Sequence, residues 1–173
     1  MSKKYVFKLV VLGDERVGKT SLIFRYTERR FLGDYKPTIG IDFSAKLVEI
    51  GKYNVDLIIW DLGGQEKYRI LRKHYLEGAR GAILVFDLTN RTSFEHLNSW
   101  YTDLQQNCSA APAILVGNKA DLVQERKISA EEGRRKAEEL GLKYLECSAK
   151  DGTAVDEAFK DITQQMIEKY VQG

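Results

Sequence analysis

The sequence has few cysteines, and the two that are present, Cys108 and Cys147, lie far apart along the chain. Isolated cysteines neither form a metal cluster nor indicate a disulfide framework, so the composition favours a reducing compartment such as the cytoplasm. Charge of one sign is also scarce, because 27 basic residues face 25 acidic ones and leave a net charge of +2. This near balance provides no general attraction for nucleic acid or for a membrane surface.

Long apolar runs and lipid-attachment signals are missing as well. No stretch approaches the roughly 20 apolar residues that span a bilayer. The second residue is Ser2 rather than glycine, and the last residues contain no cysteine for prenylation. We expect a cytoplasmic protein, and peripheral membrane association stays open because a lipidated tail can be absent from this chain. The 43% apolar and 30% charged content is typical of one globular domain over residues 1–173.

The clearest chemical signal is the stretch 13–20, which fits the pattern G-x-x-x-x-G-K-[ST]. An apolar run precedes it and a helix start follows it, so its backbone N–H groups are expected to face a phosphate. Lys19 is predicted to bridge the β- and γ-phosphates, and Thr20 to offer its hydroxyl to Mg²⁺. The predicted nucleotide contacts of this stretch are Gly13, Asp14, Glu15, Arg16, Val17, Gly18, Lys19, Thr20 and Ser21.

Strand and helix patterns alternate along the rest of the chain. The predicted strands are residues 5–12, 41–50, 55–60, 82–87, 113–117 and 142–145. The predicted helices cover residues 19–28, weakly 67–77, two segments begun by the capping boxes Thr92/Glu95 and Ser129/Glu132, and a last one from about Val155. Residues 29–40 lack periodicity and predict a long functional loop. This alternation predicts an α/β fold with a doubly wound sheet, parallel except for one hairpin strand.

Polar residues follow the third and later predicted strands, where such sheets bind ligands. Asp61 occupies the position of a carboxylate that holds Mg²⁺ directly or through water. Gly64 is predicted to bring its N–H to a γ-phosphate, and Gln65 to orient an attacking water. By itself this short motif is frequent by chance, but its position directly after a strand strengthens the prediction.

The segments after the fifth and sixth predicted strands indicate which base is bound. In Asn118-Lys119-x-Asp121, the Asp121 carboxylate accepts hydrogen bonds, and guanine offers two adjacent donors that adenine lacks. The N–H of Ala149 is predicted to meet the guanine O6, and lysine stems can pack beside the base. The predicted base contacts are Asn118, Lys119, Asp121, Ser148, Ala149 and Lys150.

In this order the motifs resemble those of the Ras superfamily of small GTPases, over residues 5–170. The matching stretches are Gly13–Thr20, Thr38, Asp61–Gly64, Asn118–Asp121 and Ser148–Lys150. Trp60-Asp61 and the stretch 146–150 are similar to the Rab branch. The resemblance implies a three-layer P-loop GTPase fold with a six-stranded, mostly parallel sheet and one antiparallel strand.

The same resemblance assigns roles to three further residues. Thr38 is implied to ligate Mg²⁺ and sense the γ-phosphate, Phe31 to pack on guanine, and Tyr35 to close over the phosphates. Two switch segments are implied, a first over about residues 31–41 and a second over about residues 62–76. Their ordering by GTP would present a surface to effectors, exchange factors and GTPase-activating proteins. The implied protein is a monomeric GTPase that hydrolyses GTP to GDP and phosphate in Rab-like regulation of trafficking or signalling.

Two departures from the family pattern keep alternatives open. The motif Asp61-Leu-Gly-Gly-Gln65 is more similar to the Arf and heterotrimeric Gα versions, so the branch stays open. Glu15 stands where many Ras-like members have glycine, and it either hinders hydrolysis or points to solvent beside Arg16. The alternatives are a GTP-binding scaffold with impaired hydrolysis and a P-loop ATPase or small-molecule kinase, against which the stretch 118–121 argues.

Overall fold

One sheet forms the centre of the structure. The computed structural model describes residues 3–33 and 37–173, and within them six strands lie in the spatial order β2-β3-β1-β4-β5-β6. The strands are β1 (Lys3–Leu12), β2 (Ile41–Ile50), β3 (Tyr53–Leu62), β4 (Gly81–Asp87), β5 (Ala113–Asn118) and β6 (Lys143–Glu146). All neighbouring strands are parallel except β2 and β3. The predicted α/β fold, with one antiparallel strand, is confirmed.

Helices follow most of the strands. They are α1 (Lys19–Glu28), α2 (Arg72–Leu76), α3 (Arg91–Glu95), α4 (Leu97–Cys108), α5 (Ala130–Leu140) and α6 (Val155–Tyr170). Short 3₁₀ turns occupy Glu66–Leu71 and Val123–Glu125. Across the described ranges, no helix is long and apolar enough to cross a bilayer.

The helices cover both faces of the sheet and bury a separate apolar cluster on each. Successive residues of β1 show this division, because Leu9 and Val11 pack with α1 and α6 whereas Val10 and Leu12 pack with α2 and α4. Side chains of neighbouring strand residues point to opposite faces, so a strand that is covered on both faces must be apolar throughout. This is why the central strands β4 and β5 are nearly uninterrupted apolar runs in the sequence, whereas the edge strands β2 and β6 contain charged residues.

In the hairpin of β2 and β3, the second strand is longer and the turn is shorter than the sequence predicted. The strand expected over residues 55–60 spans Tyr53–Leu62, because β2 pairs with it along its whole length, from Ile41 opposite Leu62 to Ile50 opposite Tyr53. The extra ladder pairs extend β3 past its apolar run, so Asp61 lies inside the strand rather than after it.

Of the two helix caps predicted from the sequence, one is confirmed and one is wrong. The predicted capping box of Thr92 and Glu95 is wrong, because the helix begins earlier and Asn90 caps it by accepting from the Ser93 N–H at 3.3 Å. The predicted cap Ser129 is confirmed, since its hydroxyl accepts from the N–H of Glu132 at 3.1 Å. The weak helix expected over residues 67–77 is a 3₁₀ turn followed by the short α2.

Candidate functional site

The segments singled out from the sequence meet at one edge of the sheet. The loop 13–20 follows β1, Asp61 lies near the end of β3, Asn118 ends β5, and residues 148–150 follow β6. Because these strands are mutually parallel, their carboxyl ends share an edge. Asn118 joins two of the segments directly. Its amide nitrogen donates to the Val17 carbonyl oxygen at 2.9 Å, and its amide oxygen accepts from the N–H of residue 149 at 3.3 Å.

The loop 13–20 ends at a helix terminus that can receive an anion. Gly18 precedes α1 with φ of +94°, and a Cβ atom there would overlap the side-chain amide of Asn118. Glycine is therefore required at this position. Because glycine also has no side chain to cap the helix, the N–H groups of the first turn stay available to a ligand at the positive end of the helix dipole.

Lys19 places a buried ammonium beside this terminus. Only 6% of the residue is exposed, and its Nζ donates to the Asp14 carbonyl oxygen at 2.9 Å. Burial lowers the pKa of Lys19, while the negative charges of Asp61, Asp14 and Glu15 act in the opposite sense. A buried cation next to free backbone N–H groups is suited to hold a phosphate.

Three oxygen-bearing side chains converge next to Lys19. The Thr20 hydroxyl lies 2.6 Å from the Thr38 hydroxyl and donates to Asp61 Oδ2, and the Thr38 hydroxyl donates to the same oxygen at 3.3 Å. Asp61 is 4% exposed, and burial raises the pKa of its carboxyl group against the opposing charge of Lys19. Its other oxygen, Oδ1, is buried without a hydrogen-bond partner in the described part of the chain.

That unpartnered carboxylate oxygen tests whether these residues suit a metal ion. A buried polar atom without a partner is costly, and a cation next to it would remove the cost. Mg²⁺ takes oxygen ligands and uses few carboxylates, and this cluster offers two hydroxyl groups and one carboxylate. The residues therefore fit Mg²⁺.

The two segments predicted as switches contact each other next to the loop 13–20, which we call the phosphate-type loop. The N–H of Gly63 donates to the Gly40 carbonyl oxygen at 2.8 Å. The backbone of Gly64 lies directly on the loop, since a Cβ atom there would come within 2.5 Å of the Asp14 carbonyl carbon. Only glycine allows this approach. Gln65 lines the same cavity as Lys19 and Thr38, and Glu15, which is exposed, lines it too.

A second cavity, of about 280 Å³, adjoins the first and suits a flat ring. Its lining includes Arg16, Gly18, Ser21, Phe31, Leu32, Asn118, Lys119, Asp121, Ala149 and Lys150. Asp121 is oriented by Ser148, whose hydroxyl donates to Asp121 Oδ1 at 2.8 Å. Lys119 Nζ donates to the Arg16 carbonyl oxygen at 2.8 Å and pairs with Asp87 at the same distance. Both charged side chains are thus held in fixed positions at the wall of the cavity.

Three nucleotide contacts predicted from the sequence have separate outcomes. Phe31 is 40% exposed and lines the second cavity. Tyr35 lies outside the described residues. The N–H of Ala149, predicted to meet a base, donates here to the side-chain oxygen of Asn118 at 3.3 Å, a long hydrogen bond.

Some contacts at the site were missed in the sequence. Asp14 Oδ1 accepts from the indole N–H of Trp100 at 2.8 Å, and Asp14 Oδ2 lies 2.6 Å from His96 Nδ1. These partners are more than 80 positions away in the chain, and no local pattern connects them. Asp87, which pairs with Lys119, did carry a signal, because it is a carboxylate at the end of an apolar strand.

A comparison with models of protein families bears on the whole arrangement. The model of the Ras family matches residues 8–168 of the 173-residue chain. The matched region runs from within β1 to near the end of α6, so it contains all the strand-end segments described above. The sheet, with its single antiparallel strand in the described residues, agrees with that match.

Proposed function

Because the chain belongs to the Ras family of GTP-binding, GTP-hydrolysing switches, we propose that it binds GTP and GDP together with Mg²⁺ and hydrolyses GTP to GDP and phosphate. The observation that carries this proposal is the convergence of Thr38 with Thr20 and Asp61 beside the buried Lys19. It joins the first switch segment to the phosphate-type loop at the point where a γ-phosphate and its metal ion would sit.

The proposed roles at the phosphates follow from charge and position. Lys19 neutralises charge that develops on the transferred phosphoryl group, and Gln65 orients the attacking water. Thr20, Thr38 and Asp61 hold Mg²⁺, which supplies further neutralisation of the phosphate charge when bound. Gly64 presents its N–H to the γ-phosphate from the second switch segment, so the phosphate can order both switch segments at once.

The proposed base is guanine, held in the cavity between residue 31 and the segments that follow β5 and β6. The Asp121 carboxylate accepts from the two adjacent donors of guanine, while the Ser148 hydroxyl fixes its orientation. Lys119 and Lys150 flank the ring with their stems. Ala149 offers its N–H to the guanine O6, and its long bond to Asn118 is weak enough to exchange.

The proposed partners are effectors, exchange factors and GTPase-activating proteins that contact the two switch segments. Ile39 in the first is 82% exposed and Ile70 in the second 85%, and Phe43 on the adjoining strand is 56% exposed. Exposed apolar side chains of this size, on both predicted switch segments and on the strand that adjoins the first, support an interaction surface there. We further propose one G domain over residues 1–173, a monomer in the cytoplasm, and a Rab-like role in trafficking or signalling.

A second candidate function is a GTP-binding scaffold that hydrolyses GTP poorly. Glu15 favours it, because its carboxylate lines the cavity that contains Gln65 and its charge acts on Lys19. Gln65 opposes it, since this residue supplies the group that orients water in the hydrolysing version.

The first experiment measures which nucleotide the protein binds. Chromatography of the nucleotide that copurifies with the protein should show GDP or GTP, and titration should show tight binding of both and poor binding of ATP. Comparable affinities for ATP and GTP would contradict the guanine assignment and favour an ATPase or kinase.

A matched pair of variants then tests the base contact. Asp121→Asn keeps the oxygen that accepts from Ser148 and replaces the other with an NH₂ donor. The variant should lose guanine affinity at least about a hundredfold and gain affinity for xanthine nucleotides, whose 2-oxo group accepts from that donor. Asp151→Asn, the same change in a neighbouring exposed loop position, should leave both affinities unchanged. An unaltered preference for guanine in Asp121→Asn would remove Asp121 from the base site.

A further inference from the structure

Arg25 connects α1, the helix that begins at the phosphate-type loop, to residues 148–150, which are proposed to hold the base and are called the base loop below. It lies on α1, whose first residue is Lys19. Its Nε donates to the Ala149 carbonyl oxygen at 2.8 Å, and one terminal nitrogen donates to the Lys150 carbonyl oxygen. Two successive carbonyl groups of the base loop are thus bound by a single guanidinium group.

Other hydrogen bonds hold the beginning of the base loop without involving α1. Ser148 is tied through its hydroxyl group to Asp121 and to the N–H of Asp151, and the Ala149 N–H is directed at Asn118. The bonds to Asp121 and Asn118 fix the beginning of the loop from the β5 side, and the bond between Ser148 and Asp151 joins the first residue of the loop to the residue that follows the loop. Arg25 fixes the peptide groups that follow Ala149 from the α1 side, so its removal would leave them without this support.

We propose that Arg25 is a positioning residue that slows nucleotide release by locking the base loop to the phosphate-binding helix. The inference rests on the proposed function, because it requires that a guanine nucleotide spans α1 and the base loop. The guanidinium group is planar and offers its donors in a fixed geometry, so it holds both carbonyl groups in one arrangement. The proposal requires that the base loop moves away from α1 when the nucleotide leaves.

The proposal predicts a split between two kinetic quantities. Lys19, Gln65 and the metal-binding oxygens do not depend on the carbonyl groups that Arg25 binds. Loss of Arg25 should therefore accelerate dissociation of the nucleotide and leave the rate of single-turnover hydrolysis of prebound GTP close to that of the wild type. A general loosening of the fold would change both quantities and lower the melting temperature.

The experiment follows release of fluorescently labelled GDP into an excess of unlabelled GDP. Arg25→Ala should release GDP about tenfold faster, as expected for the loss of two hydrogen bonds from a charged donor. Arg25→Lys, which restores one charged donor to the same carbonyl groups, should give an intermediate rate. Arg29→Ala is the matched control, because Arg29 follows the same helix and pairs at the surface with Asp156, their side chains being 59% and 63% exposed.

The possible outcomes separate a failure of the role of Arg25 from a failure of the proposed function. Release at the wild-type rate from Arg25→Ala, or equal acceleration in Arg29→Ala, would overturn the inference while leaving nucleotide binding intact. If the wild-type protein does not bind guanine nucleotides, the proposed function fails first. If Arg25→Ala does not fold, Arg25→Gln takes its place, because it keeps an uncharged donor at the position of the Arg25 Nε and loses the terminal nitrogens, and it should release GDP faster than Arg25→Lys does.

Discussion

Glu15 is the residue whose chemistry suits a phosphate site least. It is exposed, it lines the cavity that contains Gln65 and Thr38, and its charge acts on the buried Lys19. A carboxylate that points into this cavity would repel a γ-phosphate and compete for space with water and Gln65, whereas one that points to solvent beside Arg16 would do neither. Substitution of this one side chain therefore tests its effect on the rate of hydrolysis.

We expect Glu15→Gly to raise the rate of intrinsic single-turnover GTP hydrolysis about tenfold, the change given by about 1.4 kcal/mol in the activation barrier. The rate of phosphate release from protein loaded with GTP measures this. Glu15→Gln keeps the bulk and removes the charge, so its rate separates the two causes. Identical rates in the wild type and Glu15→Gly would show that Glu15 is not an intrinsic brake.

At the scale of secondary-structure elements, Trp100 on α4 connects the phosphate-type loop to α2. Its indole N–H donates to Asp14, and the guanidinium group of Arg72, the first residue of α2, lies 3.8 Å from the centre of its ring. Arg72 also pairs with Asp103 on α4 at 2.7 Å. The loop that positions Lys19 and the second switch segment are thus anchored to the same helix.

We expect Trp100→Phe to remove the hydrogen bond to Asp14 while keeping the contact with Arg72. The variant keeps a ring for Arg72 to stack on but leaves one Asp14 oxygen without its donor, which should destabilise the protein by about 1 to 2 kcal/mol and weaken GDP binding. Urea unfolding and GDP titration measure the two effects. Tyr101→Phe removes a hydroxyl group at the adjacent position and should change neither. Unchanged GDP affinity in Trp100→Phe would mean that Asp14 needs no support from α4.

At the scale of the whole molecule, stability depends on pH through an ion pair that joins β6 to the segment before α5. Arg126 binds Glu146 through two nitrogens, one of them at 2.9 Å, and the Tyr144 hydroxyl donates to the same carboxylate at 2.6 Å. Burial by itself raises the pKa of Glu146, but these hydrogen bonds and the Arg126 charge outweigh burial and hold the pKa below its ordinary value of 4.5. The stabilisation is therefore present above that value and is lost as the pH falls through the lowered pKa.

We expect Arg126→Met to reduce the free energy of unfolding by about 1 kcal/mol at neutral pH, because the pair is only partly shielded from solvent. The deficit should shrink as the pH falls below 4.5 and through the lowered pKa of Glu146, because the wild type then loses the ion pair that the variant already lacks. Urea unfolding followed by circular dichroism across this range measures it. Arg135→Met, which breaks the exposed pair with Glu131, should cost a few tenths of a kcal/mol at most. A deficit independent of pH would contradict the assignment to Glu146.

Much of the fold could be predicted from the sequence because its causes are local. Strands covered on both faces must be apolar, as β4 and β5 nearly are, and the bounds predicted for α1 (Lys19–Glu28) and for the edge strand β2 (Ile41–Ile50) match those observed. The length of β3 could not be predicted, because the pairs with β2 that extend it are tertiary contacts. The helix start at Arg91 was also missed, since several residues nearby can serve as caps and packing selects Asn90.

The sequence by itself determined which segments are candidates for the site, because glycines, a lysine and carboxylates at or near strand ends carry their chemistry and their position together. Only the tertiary structure decided how those residues are held. Trp100 binds Asp14, Asp87 pairs with Lys119, and Arg25 reaches the carbonyl groups of residues 149 and 150. Except for the Asp87 pair, these partners are more than 80 positions apart. The sheet aligns the carboxyl ends of its parallel strands at one edge, and α1 and α4, packed on its two faces, bring Arg25 and Trp100 to the segments that follow those strands.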